Sequence, residues 1–139
     1  SGQGVTAGQP SQRAEELRTT KGLKGADKRA KELEACVAAI DALTGLDGEV
    51  ATLLHRVVTE VAPQLDPKTW YGFPSYARDG KVVVFYQPAS KFAPRYGTVG
   101  FQEDALLDDG DMWATSFAVV AVTPAVEKTL RALVEAAAG

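Results

Sequence analysis

The sequence predicts an α+β fold with two N-terminal helices, a four-stranded mainly antiparallel sheet and a C-terminal helix. Three observations support this prediction. Apolar residues recur every three or four positions from about residue 26 to residue 62, and a strand-like pattern then continues to about residue 122. Asp79-Gly80 separates two β-prone runs, which is a strong signal for a tight hairpin. Thr123-Pro124 opens the last amphipathic segment with a capping hydroxyl and a first-turn proline.

The chain is predicted to form a single domain over residues 26–138, preceded by residues 1–25 as a flexible tail or as added residues, because they lack a sustained apolar face. The first helix is predicted over residues 26–42, with Asp27 as its N-cap. Cys36 lies on the apolar stripe of this helix and is interpreted as a core residue, since free cysteine is usually buried. A single cysteine cannot form an internal disulfide, which favours a cytoplasmic location.

The second helix is predicted from Gly48 to about Ala62, with Asp47 as its N-cap and Pro63 as its end. His55 falls about 130° from the centre of the apolar face of this helix, so it is predicted to be exposed and without a partner. A catalytic histidine needs a group that orients it, and the neighbouring sequence offers none. No catalytic role is therefore assigned to His55.

Four strands are predicted, over residues 69–78, 81–87, 96–101 and 114–122. In the second strand, Val82, Val84 and Tyr86 are expected on one side, with Val83, Phe85 and Gln87 on the other. Both sides are largely apolar. This strand is therefore predicted to be central in the sheet, or to have its second face covered by the tail, a ligand or a partner.

Charge and motifs argue against several classes of function. Residues 1–35 carry seven basic and five acidic side chains, a net charge of +2. Since the whole chain has a net charge of -3, the remaining residues have a net charge of -5, which argues against nucleic-acid binding. No apolar run approaches the ~20 residues that span a bilayer, so no membrane partner is expected. Phosphate-binding loops, nucleophile elbows and zinc motifs are missing, and the chain is interpreted as a non-enzyme. An enzyme using Asp108 and Asp111 stays open as an alternative.

The segment Trp70-Tyr71-Gly72-Phe73-Pro74-Ser75-Tyr76 resembles the Tyr-Gly-Met-Pro-Ala-Phe/Tyr signature of the bacterial YdhG-like family of domains of unknown function. The resemblance continues through residues 79–81, 91–92, 107–110 and 112–113, covers about residues 30–138, and is greatest to the actinobacterial members. Some members are described as frataxin-like intracellular iron chaperones. The resemblance thus implies a YdhG-like domain that binds iron in the bacterial cytoplasm.

The first candidate site is a cluster of carboxylates beside the third predicted strand. Its members are Glu103, Asp104, Asp108, Asp109 and Asp111. Hard cations prefer oxygen ligands, so these residues are predicted to bind a metal ion weakly, with iron as the possible cofactor. The spacing of a calcium-binding EF-hand loop is missing. A solvated acidic turn is the alternative interpretation.

The second candidate site is an aromatic cleft with cations at its rim. Its predicted ligand-binding residues are Trp70, Tyr71, Tyr76, Lys81, Tyr86, Lys91, Phe92, Arg95, Tyr96 and Trp113. Aromatic walls bury ligand surface and cations orient an anion, which suits a small planar or anionic molecule or a protein partner. Core packing is the alternative interpretation. A homodimer is also left open.

Overall fold

A computed structural model describes residues 10–92 and 95–139, with side chains described at residues 25–90 and 95–139. The chain divides into a unit of residues 1–31 and a unit of residues 32–139. Helix α1 (Pro10–Asp41) begins in the first unit and ends in the second. Of the predicted tail, residues 1–9 lie outside the described residues and residues 10–25 belong to α1. The helix thus begins earlier than predicted, since Pro10 suits a first turn and good helix formers follow it.

The remaining elements form an α+β unit, as predicted, but the sheet has five strands rather than four. In chain order they are α2 (Gly45–Val61), β1 (Asp66–Trp70), β2 (Phe73–Arg78), β3 (Lys81–Gln87), the one-turn helix α3 (Ala89–Phe92), β4 (Gly97–Phe101), β5 (Ser116–Val119) and α4 (Pro124–Ala138). All neighbouring strands are antiparallel, and the sheet order follows the chain from β1 to β5. None of the described helices is long and apolar enough to cross a membrane.

The fifth strand arises from a hairpin at Tyr71-Gly72 that divides the strand predicted over residues 69–78. The φ angles of these two residues are 51° and 81°, and Trp70 pairs with Phe73 across the turn. A two-residue turn with both φ angles positive matches the right-handed twist of paired strands. Tyrosine rarely adopts a positive φ, so the sequence lacked the usual signal. The predicted hairpin at Asp79-Gly80 is confirmed, with φ angles of 52° and 81°.

A bulge in β3 changes which valines face the core. Tyr76 pairs with Val84 and Ala77 pairs with Val82, so Val83 is an extra residue opposite β2. Val83 and Val84 both belong to the buried core, whereas Val82 is only half-buried and lies outside it. The prediction that Val82 and Val84 share a face is therefore wrong, because the bulge interrupts the alternation.

Helices α2 and α4 cover one face of the sheet, here called the inner face, and the core lies between these layers. Its fully buried side chains include Val50, Leu54 and Val57 of α2, Val134 of α4, and Val84, Tyr86 and Val99 of the sheet. The capping hydroxyl predicted for α4 is confirmed, since the Thr123 Oγ1 atom accepts a hydrogen bond from the Val126 amide at 3.1 Å. The core thus lies between helices α2 and α4 and the inner face of the sheet.

Candidate ligand-binding site

Residues 102–115 form the loop between β4 and β5, and backbone hydrogen bonds attach it to two other elements. The Gln102 amide donates to the Val83 carbonyl of β3 at 3.0 Å. The Leu106 amide donates to the Ala137 carbonyl in the last turn of α4 at 2.9 Å. These contacts fix the path of the loop over a part of the fold that lies far from it in sequence.

Arg78, at the end of β2, attaches the same loop a third time. Its guanidinium donates to the Asp104 carbonyl at 2.9 Å, the Ala137 carbonyl at 3.2 Å and the Ala138 carbonyl at 2.7 Å. The last carbonyls of a helix have no partner within the helix and carry partial negative charge. A cation there satisfies the end of α4 and holds the loop against it.

The end of β4 and this loop enclose a cavity of about 450 Å³, here called the loop cavity. Its described lining residues are Phe101, Gln102, Glu103, Ala105, Leu107, Asp108, Trp113 and Thr115. Phe101 and Ala105 are each only 5% exposed, so they contribute a buried apolar base, while Trp113 is 39% exposed. The volume lies within the range of about 300–1,000 Å³ that is usual for small-molecule sites.

The loop cavity combines an aromatic wall with negative charge. Glu103 and Asp108 are exposed carboxylates, and Gln102 and Thr115 add an amide and a hydroxyl. Among the described lining residues there is no Lys, Arg or His. An aromatic face attracts a cation through its quadrupole, and two carboxylates attract it through charge. This arrangement is suited to bind a positively charged group.

The carboxylates predicted as metal ligands are only partly brought together. Glu103 and Asp108 line the loop cavity, whereas Asp104, Asp109 and Asp111 are not among its lining residues. Among the side chains described, at residues 25–90 and 95–139, no three from His, Cys, Asp or Glu are placed so that they could hold a metal ion. The carboxylate pair at the loop cavity therefore falls short of a metal-ligand set.

The sequence predicts Trp113 and the acidic residues at two separate candidate sites, and the structure places three of these side chains, those of Glu103, Asp108 and Trp113, at one cavity. Gln102 and Thr115 also line this cavity and are not among the residues predicted for either site. Their position was the available signal, because Gln102 directly follows the third predicted strand and Thr115 lies at the start of the fourth. Residues at strand ends are held in place by the sheet and often form binding sites.

The members of the predicted aromatic cleft lie in several different places. Trp70 and Tyr71 are grouped with Phe73 and Phe85, with the Trp70 ring centroid 5.0 Å from that of Tyr71 and 5.1 Å from that of Phe85. Register and alternation put Trp70, Phe73 and Phe85 on the outer face of the sheet. A Cβ atom added at Gly100 would lie 2.3 Å from the Phe85 ring, so this glycine makes room for it.

The basic rim of the predicted cleft does not converge on those rings among the described side chains. Lys81 is exposed at the β2–β3 hairpin. The Arg95 guanidinium lies 5.3 Å from the centroid of the neighbouring Tyr96 ring. The side chains of Lys91 and Phe92 lie outside the described part of the chain.

Tyr76 lies on the inner face, fully buried, and its hydroxyl has two partners. It is 3.0 Å from His55 Nδ1, and the Cys36 thiol donates to it at 3.9 Å. The prediction of a partnerless His55 is wrong, because the long tyrosine side chain reaches the edge of the helix face where the histidine lies. Burial lowers the pKa of His55 and raises that of Cys36, so both side chains favour their neutral forms. The expected burial of Cys36 is confirmed.

Tyr86, also fully buried, belongs to a second polar cluster around Asp47. The Asp47 carboxylate accepts hydrogen bonds from the Tyr86 hydroxyl at 2.6 Å, the Ala89 amide at 2.9 Å and the Ser90 amide at 3.0 Å. Burial alone would raise the pKa of Asp47, but these hydrogen bonds lower it below its usual value. Asp47 thus links α2 to α3 from inside the first turn of α2, instead of acting as the predicted N-cap.

Comparison with known proteins identifies no relative, since no family model, curated protein or solved structure matches the chain. The resemblance to the YdhG-like family is therefore neither supported nor refuted.

Proposed function

We propose that this protein binds a small organic cation, a molecule carrying a protonated or quaternary amine, in the loop cavity. The observation that supports this function is the placement of the Trp113 indole at the same cavity as the Glu103 and Asp108 carboxylates. The described lining offers no competing positive charge. Recognition of quaternary ammonium groups by aromatic side chains is an established use of the cation–π interaction.

Size and ligand number favour an organic cation over a bare metal ion. A metal ion would leave most of the 450 Å³ cavity empty, whereas the apolar side chains of Phe101 and Leu107 can cover the carbon skeleton of an amine. The described residues also hold no group of three potential metal ligands. Iron binding, which the family resemblance implies, stays a prediction that calorimetric titration with ferrous iron tests.

The affinity should be modest and should depend on salt. A cation over a partly exposed indole contributes about 0.5–2 kcal/mol, and exposed carboxylates are screened by salt over about 8–10 Å. With burial of the ligand's apolar atoms added, we expect a dissociation constant between about 1 μM and 1 mM. Raising the ionic strength should weaken binding, while a neutral molecule of the same shape should bind worst.

The experiment uses tryptophan fluorescence together with calorimetric titration. The chain has two tryptophans, so Trp70→Phe leaves Trp113 as the reporter. Titration with tetramethylammonium and with spermidine should change its fluorescence in a saturable way, whereas neutral tert-butanol at the same concentrations should not. Trp113→Leu in the otherwise natural chain should weaken binding about tenfold by calorimetry, since the cation–π contact is lost.

The carboxylates have a matched control in the same loop. Glu103→Gln with Asp108→Asn should weaken amine binding about tenfold or more. Asp109→Asn with Asp111→Asn removes the same charge from residues that do not line the cavity, so its effect should be much smaller. Equal losses in the two double variants would show that only the overall charge of the loop matters, against a site in the cavity. Ferrous iron binding without any amine binding would also overturn the proposal.

A further inference from the structure

The backbone of β5 faces outward at the edge of the sheet. In an antiparallel pair, residues alternate between those whose N–H and C=O groups point to the partner strand and those whose groups point away. The Phe101 amide donates to the Thr115 carbonyl at 2.8 Å, so the backbone N–H and C=O groups of Thr115 point toward β4. Those of Phe117, two residues later, point the same way. Ser116 and Ala118 therefore point their N–H and C=O groups away from β4, where the described part of the chain offers them no partner.

Apart from its short length of four residues, this edge lacks the features that usually prevent strand pairing. Natural edge strands are protected by charged residues, prolines or bulges. Residues 114–122 contain no charged residue and no proline, and the β4–β5 register is regular. Ala118 is exposed and Val120, just beyond the strand, is 68% exposed. The edge therefore combines unpaired peptide groups with uncovered apolar side chains.

An apolar groove of about 240 Å³ runs beside the edge, between β5 and α4. Its described lining residues are Phe117, Ala118, Val119, Ala125, Val126, Thr129, Leu130 and Leu133. None of these side chains is charged, so a charged peptide would find no counter-charge in the groove. The groove is complementary to an extended, uncharged, apolar strand, and the chain itself contains such a strand in β5.

We infer that β5 pairs antiparallel with β5 of a second copy, around a two-fold axis at Ala118. This register places Ser116 opposite Val120 of the second copy, and Phe117 opposite Val119. Each pair lies on one face of the sheet, because 116, 118 and 120 alternate with 117 and 119. The outward-facing peptide groups at Ser116 and Ala118 occur at the positions where such pairing needs hydrogen bonds.

Charge supports the second copy as the occupant. A two-fold contact sets the same surface against itself, so any charge within the strand would meet a like charge. The uncharged β5 segment avoids this repulsion, although the chain as a whole carries a net charge of -3. The pairing closes on itself and yields a dimer with one continuous sheet rather than an open filament.

Cysteine cross-linking tests the register. Opposite Cα atoms in a hydrogen-bonded antiparallel pair are about 5.5 Å apart, within the range that a disulfide spans. Ala118→Cys should therefore form a covalent dimer under mild oxidation. Ser116→Cys is the matched control, since the two copies of residue 116 would be about 14 Å apart, four residues along the strand and one strand spacing across it. The natural chain, whose Cys36 is buried, is the blank. Equal cross-linking at 116 and 118 would overturn the register.

Sedimentation of the unoxidised chain tests the association itself. Ala118→Pro removes an N–H group that points away from β4, so the hydrogen bonds between β4 and β5 are kept. This variant should raise the dimer dissociation constant about tenfold or more. Val120→Lys should have a similar effect by placing a charge at the contact, whereas Met112→Lys, at an 88% exposed loop residue, should not. Circular dichroism checks that each variant is folded. A natural chain that sediments as a monomer up to about 0.5 mM would overturn the inference, because even a millimolar contact is partly populated there.

Discussion

Replacing Arg78 by methionine is expected to destabilise the fold by about 2–4 kcal/mol. The guanidinium donates to three carbonyl oxygens, those of Asp104, Ala137 and Ala138, at 2.9, 3.2 and 2.7 Å. Methionine keeps most of the aliphatic stem of arginine, so the change removes the charge and the donors while much of the packing remains.

The magnitude follows from which carbonyls lose their partner. The Ala137 carbonyl still accepts from the Leu106 amide at 2.9 Å, so it remains paired. The Asp104 and Ala138 carbonyls lose a charged donor. A hydrogen bond to a charged group contributes at least about 1.5 kcal/mol, and each loss is assigned this lower value. A cation at a helix C-terminus adds about 0.5 kcal/mol. The sum is a large part of the about 5–15 kcal/mol that usually stabilises a domain.

Equilibrium urea unfolding followed by far-ultraviolet circular dichroism measures this change. Arg56→Met is the matched control, because it removes the same group from an exposed ion pair with Glu127, and we expect it to change the free energy of unfolding little. Arg78→Lys, which keeps the charge but cannot reach three carbonyls, should fall between the natural chain and Arg78→Met. If Arg78→Met unfolded at the same urea concentration as Arg56→Met, the hydrogen bonds from Arg78 to the three carbonyls would not stabilise the fold.

Three further predictions concern pH and packing. The pKa of Asp47 is lowered in the folded state, so its carboxylate stabilises the protein above about pH 4 and this contribution is lost in acid. In urea unfolding, the difference in stability between the natural chain and Asp47→Asn should therefore shrink as the pH falls to about 2. The pKa of His55 is lowered by burial beside Tyr76, so the natural chain should lose stability as pH falls below about 6.5, and His55→Gln should lose less. Gly100→Ala should cost about 1–3 kcal/mol by thermal unfolding, because its Cβ would lie 2.3 Å from the Phe85 ring, and adding Phe85→Leu should recover part of the loss.

Local signals in the sequence predicted the elements whose formation depends on neighbouring residues. The Thr123 cap, the Asp79-Gly80 hairpin and the bounds of β3 are confirmed, because capping and turn geometry are encoded within a few positions. The hairpin at Tyr71-Gly72 was missed because its first residue is a tyrosine at positive φ. The Val83 bulge was missed because a continuous apolar run gives no sign of where alternation is interrupted.

The candidate site was predicted in its components but not in its assembly. Glu103, Asp108 and Trp113 were all named, and they lie within one loop. The path of that loop depends on Arg78 and on the last turn of α4, both distant in sequence, and no local pattern encodes such contacts. Partners of His55 were missed for the same reason, because a helical projection cannot include a tyrosine from a strand.

Arg78 attaches the loop to the end of α4, so the effect of Arg78→Met on cation binding distinguishes a preformed cavity from attraction by net charge alone. Arg78 is not among the lining residues of the loop cavity, but it holds the loop that carries Glu103, Asp108 and Trp113. If the cavity bound cations through net charge alone, Arg78→Met would make the region more negative and strengthen binding. If binding requires the indole and carboxylates to be held in place beforehand, the same change should weaken it, because ordering the loop would then cost free energy. We expect weaker binding of tetramethylammonium by Arg78→Met, measured by calorimetry below the onset of unfolding. Stronger binding would assign recognition to the acidic field of the loop rather than to a preformed cavity.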